Sequence, residues 1–245
     1  MIPIPHTDPE VEYPESDGKP MADNTEQYQW LVKIKENLES WYANVPDVFI
    51  AGDLFWYPVR NRKITGPNAP DVMVVFGRPK GKRGSYRQWE ENDIPPQVVF
   101  EIRSPSNTED EMERKLQFYQ KYGVEEYYLY DPATNQLEGW LREGERLRTI
   151  PQMDGWVSPR MGIRFELKET ELEIYRPDGR RFLTSVELEQ RAEQERARAE
   201  QERARAEQER ARAEEALLQL EQERRRAEQM AEYLRSLGID PDNLT

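Results

Sequence analysis

The sequence RAEQERA occurs three times in succession, at 191–197, 198–204 and 205–211, and a looser continuation reaches Leu237. No Gly or Pro interrupts this stretch before Gly238. Ala, Glu, Gln and Arg are strong helix formers, and pairs such as Glu193 with Arg196 and Arg196 with Glu200 add charge support at helical spacing. From about Val186 the chain can therefore be little else than one long helix of about 78 Å. It cannot supply a core. All six Trp and 11 of the 12 Tyr lie before it, so any globular body must be built from the residues up to Ser185.

The low apolar share (36%) and high charged share (34%) reflect that tail more than the body. The chain holds 35 Lys and Arg against 48 Asp and Glu, a net of −13. Of this, −8 falls up to Ser185 and −5 beyond it. Such a balance argues mildly against general nucleic-acid binding, which draws on Lys and Arg, but leaves room for a locally basic groove. No apolar run approaches the roughly 18–20 residues of a membrane span, and no secretory signal pattern opens the chain. The expectation is a cytoplasmic protein without membrane attachment. There is no Cys and a single His, His6, which excludes disulfides, thiolate metal sites, a Cys nucleophile and a Ser-His-Asp triad. Catalysis would have to run on carboxylates, Lys and a hard metal ion.

Three segments follow. Residues 1–22, with five Pro, read as a disordered leader. Residues 23–185 read as a mixed α/β domain, and 186–245 as a charged helix. In the domain a helix begins near Asp23 or Thr25, with Trp30, Leu31, Ile34, Leu38, Trp41 and Tyr42 on one stripe. Strands are expected at 48–58, 71–76 and 97–103, the last two apolar enough to be central. Ser106-Asn-Thr-Glu109 has the form of a capping box and opens a helix to Gly123. A strand at 125–132, a hairpin over 136–150 and short strands near 162–167 and 171–175 complete the body. The order of elements predicts a mixed sheet flanked by helices. In the tail, a seam through Ala206, Arg210, Ala213, Leu217, Leu220, Arg224, Ala227, Ala231 and Leu234 is compatible with a weak homodimer from Leu217 onward. A lone solvated helix fits equally well.

Two acids stand out. Asp71 opens DVMVVF directly after Pro70, and Glu101 interrupts QVVFEIR. If the two strands pair antiparallel, both carboxylates reach one edge of the sheet. A carboxylate within VVFEI needs a cation or a metal. Lys115 flanks the buried stripe of the 107–122 helix and can reach inward; Arg103 lies on the same side of its strand as Glu101. Asp, Glu and a cation suit Mg²⁺ or Mn²⁺, with a nearby Asp53 as a weaker accessory acid. The same residues equally describe a buried salt bridge and a strand-entry Asp. A basic loop, GRPKGKRGSYRQW (77–89), carries Arg78, Lys80, Lys82, Arg83 and Arg87, with Tyr86 and Trp89 able to stack on bases. Arg60, Arg62 and Lys63 form a second basic patch.

Pro70-Asp71, EIRSPS (101–106), a helix bearing Lys115 and YGVEEYYLYDP (122–132) together resemble the PD-(D/E)XK nuclease superfamily, and within it the Uma-type restriction endonucleases, over residues 20–180. The resemblance implies a restriction-endonuclease-like fold, metal ligation by Asp71, Glu101 and the Ile102 carbonyl, DNA as substrate and phosphodiester hydrolysis. One departure is Arg103, where the superfamily usually has Lys. Arg cannot accept a proton, and the resemblance assigns the missing Lys to Lys115 on the following helix. A catalytically silent nuclease-like module, binding nucleic acid or protein and assembling through its tail, fits the same residues. A coiled-coil adaptor explains the tail alone.

Overall fold

A computed structural model of the chain describes residues 13–16, 18, 22 and 24–238. The leader expected over 1–22 lies mostly outside them. Helix α1 (Thr25–Trp41) is capped by Asn24, whose side chain accepts from the Gln27 amide at 2.8 Å. Its Trp30, Leu31, Ile34 and Leu38 are buried as their spacing requires. The expected strand over 48–58 divides in two. Strand β1 (Val48–Gly52) ends where Asp53 turns to a φ of 47°, and β2 resumes only at Trp56–Tyr57. The left-handed turn breaks the ladder that the apolar run alone would continue.

Strands β3 (Val72–Phe76), β4 (Tyr86–Arg87) and β5 (Val98–Ile102) follow. Helix α2 (Glu109–Lys121) then leads to β6 (Glu126–Asp131), β7 (Gln136–Glu143) and β8 (Arg146–Thr149). Thr108, not Ser106, caps α2, accepting from the Glu111 amide at 3.3 Å. Ser106 instead bonds the Ser104 hydroxyl at 2.9 Å, which corrects the expected capping box. Strands β9 (Arg164–Leu167) and β10 (Leu172–Tyr175) form a separate antiparallel pair.

The main sheet has six strands in the order β1-β3-β5-β6-β7-β8. Within it β5 and β6 are parallel and every other neighbouring pair is antiparallel. This parallel pair of the main sheet is joined through α2, since parallel neighbours need a crossover. Side-chain alternation divides the body into two cores. One face packs Val72, Val74, Val98, Phe100 and Ile102 with the α1 stripe and with Phe165 and Ile174 of the small hairpin. The other packs Met73, Val75, Val99 and Tyr127 with Met112 and Tyr119 of α2. Central strands covered on both faces explain the unbroken apolar runs.

The chain divides into two compact units, 1–185 and 186–245. Helix α3 runs Ser185–Ser236 without interruption and buries none of its side chains. Ion pairs such as Arg191–Glu195 (3.1 Å) and Arg225–Glu221 (2.7 Å) lace its surface. Among the described residues no helix is long and apolar enough to cross a membrane.

Candidate active site

Strand register brings the two acids together. Val72 faces Phe100 across the β3–β5 ladder, so Asp71, one residue earlier, stands beside Glu101. Both share the parity of Met73 and Val99 and point to the α2 side of the sheet. Asp71 Oδ2 accepts from the Ile102 amide at 2.6 Å, and Oδ1 faces Gln27 Nε2 at 3.4 Å. Gln27 Nε2 also donates to the Ile102 carbonyl at 3.2 Å. An Asp71 oxygen and the Ile102 carbonyl therefore converge on one point. Glu101 Oε2 accepts from Lys115 Nζ at 2.7 Å, and Oε1 accepts a short hydrogen bond from the Tyr119 hydroxyl. Asn68 Nδ2 donates to that hydroxyl at 2.8 Å. Asp71, Glu101, the Ile102 carbonyl and Lys115 thus meet in one cluster.

The charges there do not balance. Two neighbouring carboxyls face a single ammonium inside the protein. Burial, and then the Glu101 charge, push the Asp71 carboxyl well above the usual carboxylate range. Burial opposes the charge on Lys115, but Glu101 and Asp71 outweigh it and raise its pKa, so the side chain stays an ammonium. Tyr119 is likewise pushed up, by burial and then by Glu101, and acts as a donor. The excess negative charge is relieved either by a proton or by a cation.

A hard divalent cation fits this donor set. Among the described residues no group of three or more acidic, His or Cys side chains gathers to hold a metal. Two carboxylates and one carbonyl would leave about half of an octahedral Mg²⁺ shell to water and substrate. Gln27 stands against the same oxygens, and a turn of its amide presents Oε1 in place of Nε2. The cluster opens into a cleft of about 700 Å³ whose lining includes Asp71, Lys115, Asp53, Tyr57 and Arg62. Asp53 contributes its main-chain N–H to the Pro70 and Asp71 carbonyls at 3.1 and 3.2 Å.

Arg103 is not part of the cluster. It lies on the expected side of the sheet, but its guanidinium turns to Glu109 at 2.8 Å, in a separate pocket with Tyr127 and Trp140. The acidic first turn of α2 outcompetes the site for it.

The basic loop is also placed differently from its order in sequence. Gly77 and Lys80 donate to the Asp47 and Pro46 carbonyls, at the end of β3 opposite to Asp71. Arg78 and Arg83 both pair with Glu91, each at 2.6 Å, and Lys80 lies 3.9 Å from Glu39. Lys82 is exposed. Only Arg87, on β4 beside Tyr57 of β2, stands near the cleft. Tyr86 is fully buried, its hydroxyl donating to the Ile94 carbonyl at 2.6 Å, and cannot stack on a base. Burial alone would raise the Glu91 carboxyl, but Arg83 and Arg78 hold it below its usual range. Glu91→Ala is expected to cost about 2–4 kcal/mol in urea unfolding, because two half-buried guanidiniums lose their partner. The stabilisation is present above the ordinary carboxylate range and is lost as pH falls through the lowered value.

Gln27, Asn68 and Tyr119 are not marked by any motif. The signals for two of them are positional. Gln27 sits three and four residues before Trp30 and Leu31, a polar side chain on an apolar stripe. Tyr119 follows Lys115 by four, which sets both polar heads on one helix face.

The domain is a mixed sheet flanked by helices, with two acids from neighbouring strand ends and a lysine from α2 gathered in one cluster. The chain belongs to the Uma2 family, described as "Putative restriction endonuclease", which matches residues 2–204. No curated protein matches it. Among solved structures it is similar to a crystal structure described as "a putative nuclease belonging to DUF820" from Anabaena variabilis. Identity there is 15% and the TM-score 0.42, over 59% of this chain and 79% of that one.

Proposed function

We propose that the chain is a divalent-cation-dependent endonuclease that hydrolyses DNA phosphodiesters in the cytoplasm, with residues 23–185 carrying the activity. The meeting of Asp71, Glu101, the Ile102 carbonyl and Lys115 in one cluster, beside a cleft that Asp71 and Lys115 line, carries this reading. Mg²⁺ or Mn²⁺ bound there supplies positive charge against the phosphate and acidifies the water beside it. The Ile102 amide fixes one Asp71 oxygen, and Tyr119, itself held by Asn68, fixes one Glu101 oxygen. Both acids are thus oriented by the protein. Lys115, kept protonated, donates to a non-bridging phosphate oxygen and stabilises the charge that develops there. It does not serve as the base. The test is cleavage of supercoiled plasmid with and without Mg²⁺, read beside the melting temperature over a Mg²⁺ titration. Both should respond to the cation in the wild type, and neither should in Asp71→Asn.

The direct Lys115–Glu101 ion pair favours one alternative, a catalytically silent module in which the cluster is a closed salt bridge. That reading predicts no melting shift with Mg²⁺ or Mn²⁺ and no cleavage. We further propose that the α3 seam from Leu217 onward supports a homodimer, which sedimentation of the full chain would reveal.

A further inference from the structure

Beside the cleft, the segment Tyr13–Ser16 lies across a group of aromatic and basic side chains. The Tyr13 ring sits 5.2 Å from Tyr57 at 81° and 5.1 Å from Trp89 at 48°. The Arg87 guanidinium lies over Tyr13 at 5.0 Å, and that of Arg60 over Trp89 at 5.9 Å. Hydrogen bonds tie the segment down: the Tyr13 hydroxyl donates to the Arg60 carbonyl at 2.6 Å, and the Tyr57 hydroxyl to the Pro14 carbonyl at 2.7 Å. Two residues further on, Glu15 lines the same cleft as Arg62 and Lys115.

A ring between aromatic neighbours under a guanidinium has the setting of a stacked nucleobase. Aromatic faces with flanking Arg are the usual means of holding an unpaired strand. We propose that Tyr57, Trp89, Arg60 and Arg87 form a base-stacking subsite for single-stranded nucleic acid entering the cleft, and that Tyr13 occupies it as an internal competitor. This deepens the nuclease reading and rests on it for the choice of ligand. The slot is continuous with the site because Tyr57 lines both. A strand must displace Tyr13 to bind, so its apparent affinity is reduced by the fraction of molecules in which the ring is seated.

The test is the anisotropy of a fluorescent single-stranded oligothymidylate, titrated with the full chain in EDTA so that binding is separated from cleavage. Tyr13→Ala should tighten binding by about three- to tenfold, the worth of the aromatic contacts released. Tyr13→Phe keeps the ring but loses the bond to the Arg60 carbonyl, and should fall between wild type and Tyr13→Ala. Trp89→Ala should weaken binding about tenfold, with Trp89→Phe close to wild type. In the Trp89→Ala background the gain from Tyr13→Ala should largely vanish. Melting temperatures within a few degrees of wild type separate these effects from unfolding, and the Phe variants report on the slot if either Ala variant melts early. Unchanged or weaker binding by Tyr13→Ala, indifference to Trp89, equal affinity for the matching duplex, or no binding by any variant overturns the proposal. The nuclease reading is judged apart from it, by the Mg²⁺ melting shift and plasmid cleavage. A protein that cuts DNA but ignores Tyr13 and Trp89 loses only the subsite. One that binds through the slot yet shows neither cation response nor cleavage loses only the nuclease reading.

Discussion

Asp71→Asn is expected to lower Mg²⁺-dependent cleavage roughly a thousandfold or more while making the metal-free protein more stable at neutral pH. The two effects share one cause. The carboxyl is buried next to Glu101 and pushed well above the usual range, so its charge opposes folding. The substituted amide keeps an oxygen to accept from the Ile102 N–H and carries no charge. A gain of about 1–3 kcal/mol is the ordinary size of such a trade between stability and activity. The sign with pH follows. Folded protein holds a proton on Asp71 at pH values where the unfolded chain, near pKa 3.9, has lost it. Its contribution is therefore fully present below that value and is lost as pH rises through the folded pKa. Asp71→Asn should remove this slope, and Mg²⁺ should offset it in the wild type alone. Thermal melts from pH 4 upward in EDTA, repeated with Mg²⁺, check every part. Destabilisation of the metal-free Asp71→Asn protein would mean that the acid is a structural hydrogen-bonding group rather than a poised ligand.

Lys115→Met should have the second largest effect, and here stability falls. Removing the ammonium leaves Glu101 buried with only the Tyr119 hydroxyl, and breaking such a pair costs about 3–5 kcal/mol. Adding Glu101→Gln to Lys115→Met should restore much of that loss, because no uncompensated charge then remains. Urea unfolding of the two single variants and the double variant measures the coupling. Saturating Mg²⁺ should also rescue Lys115→Met in part, and no rescue is expected once Glu101 is replaced. A double variant as unstable as the sum of the singles would show that Lys115 acts through packing of its stem.

The pairing that brings Asp71 to Glu101 was legible in the chain because both strands are short, apolar and bounded, and the proposed antiparallel register left one arrangement of their ends. Lys115 was legible as well, since helical spacing alone turns it toward the sheet. Arg103 was not, because its direction is decided by Glu109, a competitor six residues away whose claim depends on where α2 begins. Moving the cap from Ser106 to Thr108 shifts Glu109 from the third helical position, where a capping box would turn it back to the cap, to the first, where it takes Arg103. The basic loop misled for a related reason. Nearness in sequence to Asp71 counts for nothing when a strand of five residues separates them, and the return of the loop through two-residue β4 carries no periodicity to read. Tyr119 illustrates a third gap. Its ring satisfies the apolar stripe, while its hydroxyl carries the contact to Glu101, and a pattern of polarity records only one of the two.

The RAEQERA units lie in one continuous helix, and that gives their number a mechanical meaning. Seven residues advance an α-helix by about 10 Å and leave it only about 20° short of whole turns. Losing or duplicating one unit would therefore shift Leu217, Leu220 and Leu234 along the axis with hardly any change in their bearing. Length becomes adjustable while orientation is conserved, so the arm behaves as a ruler with graduations of fixed size.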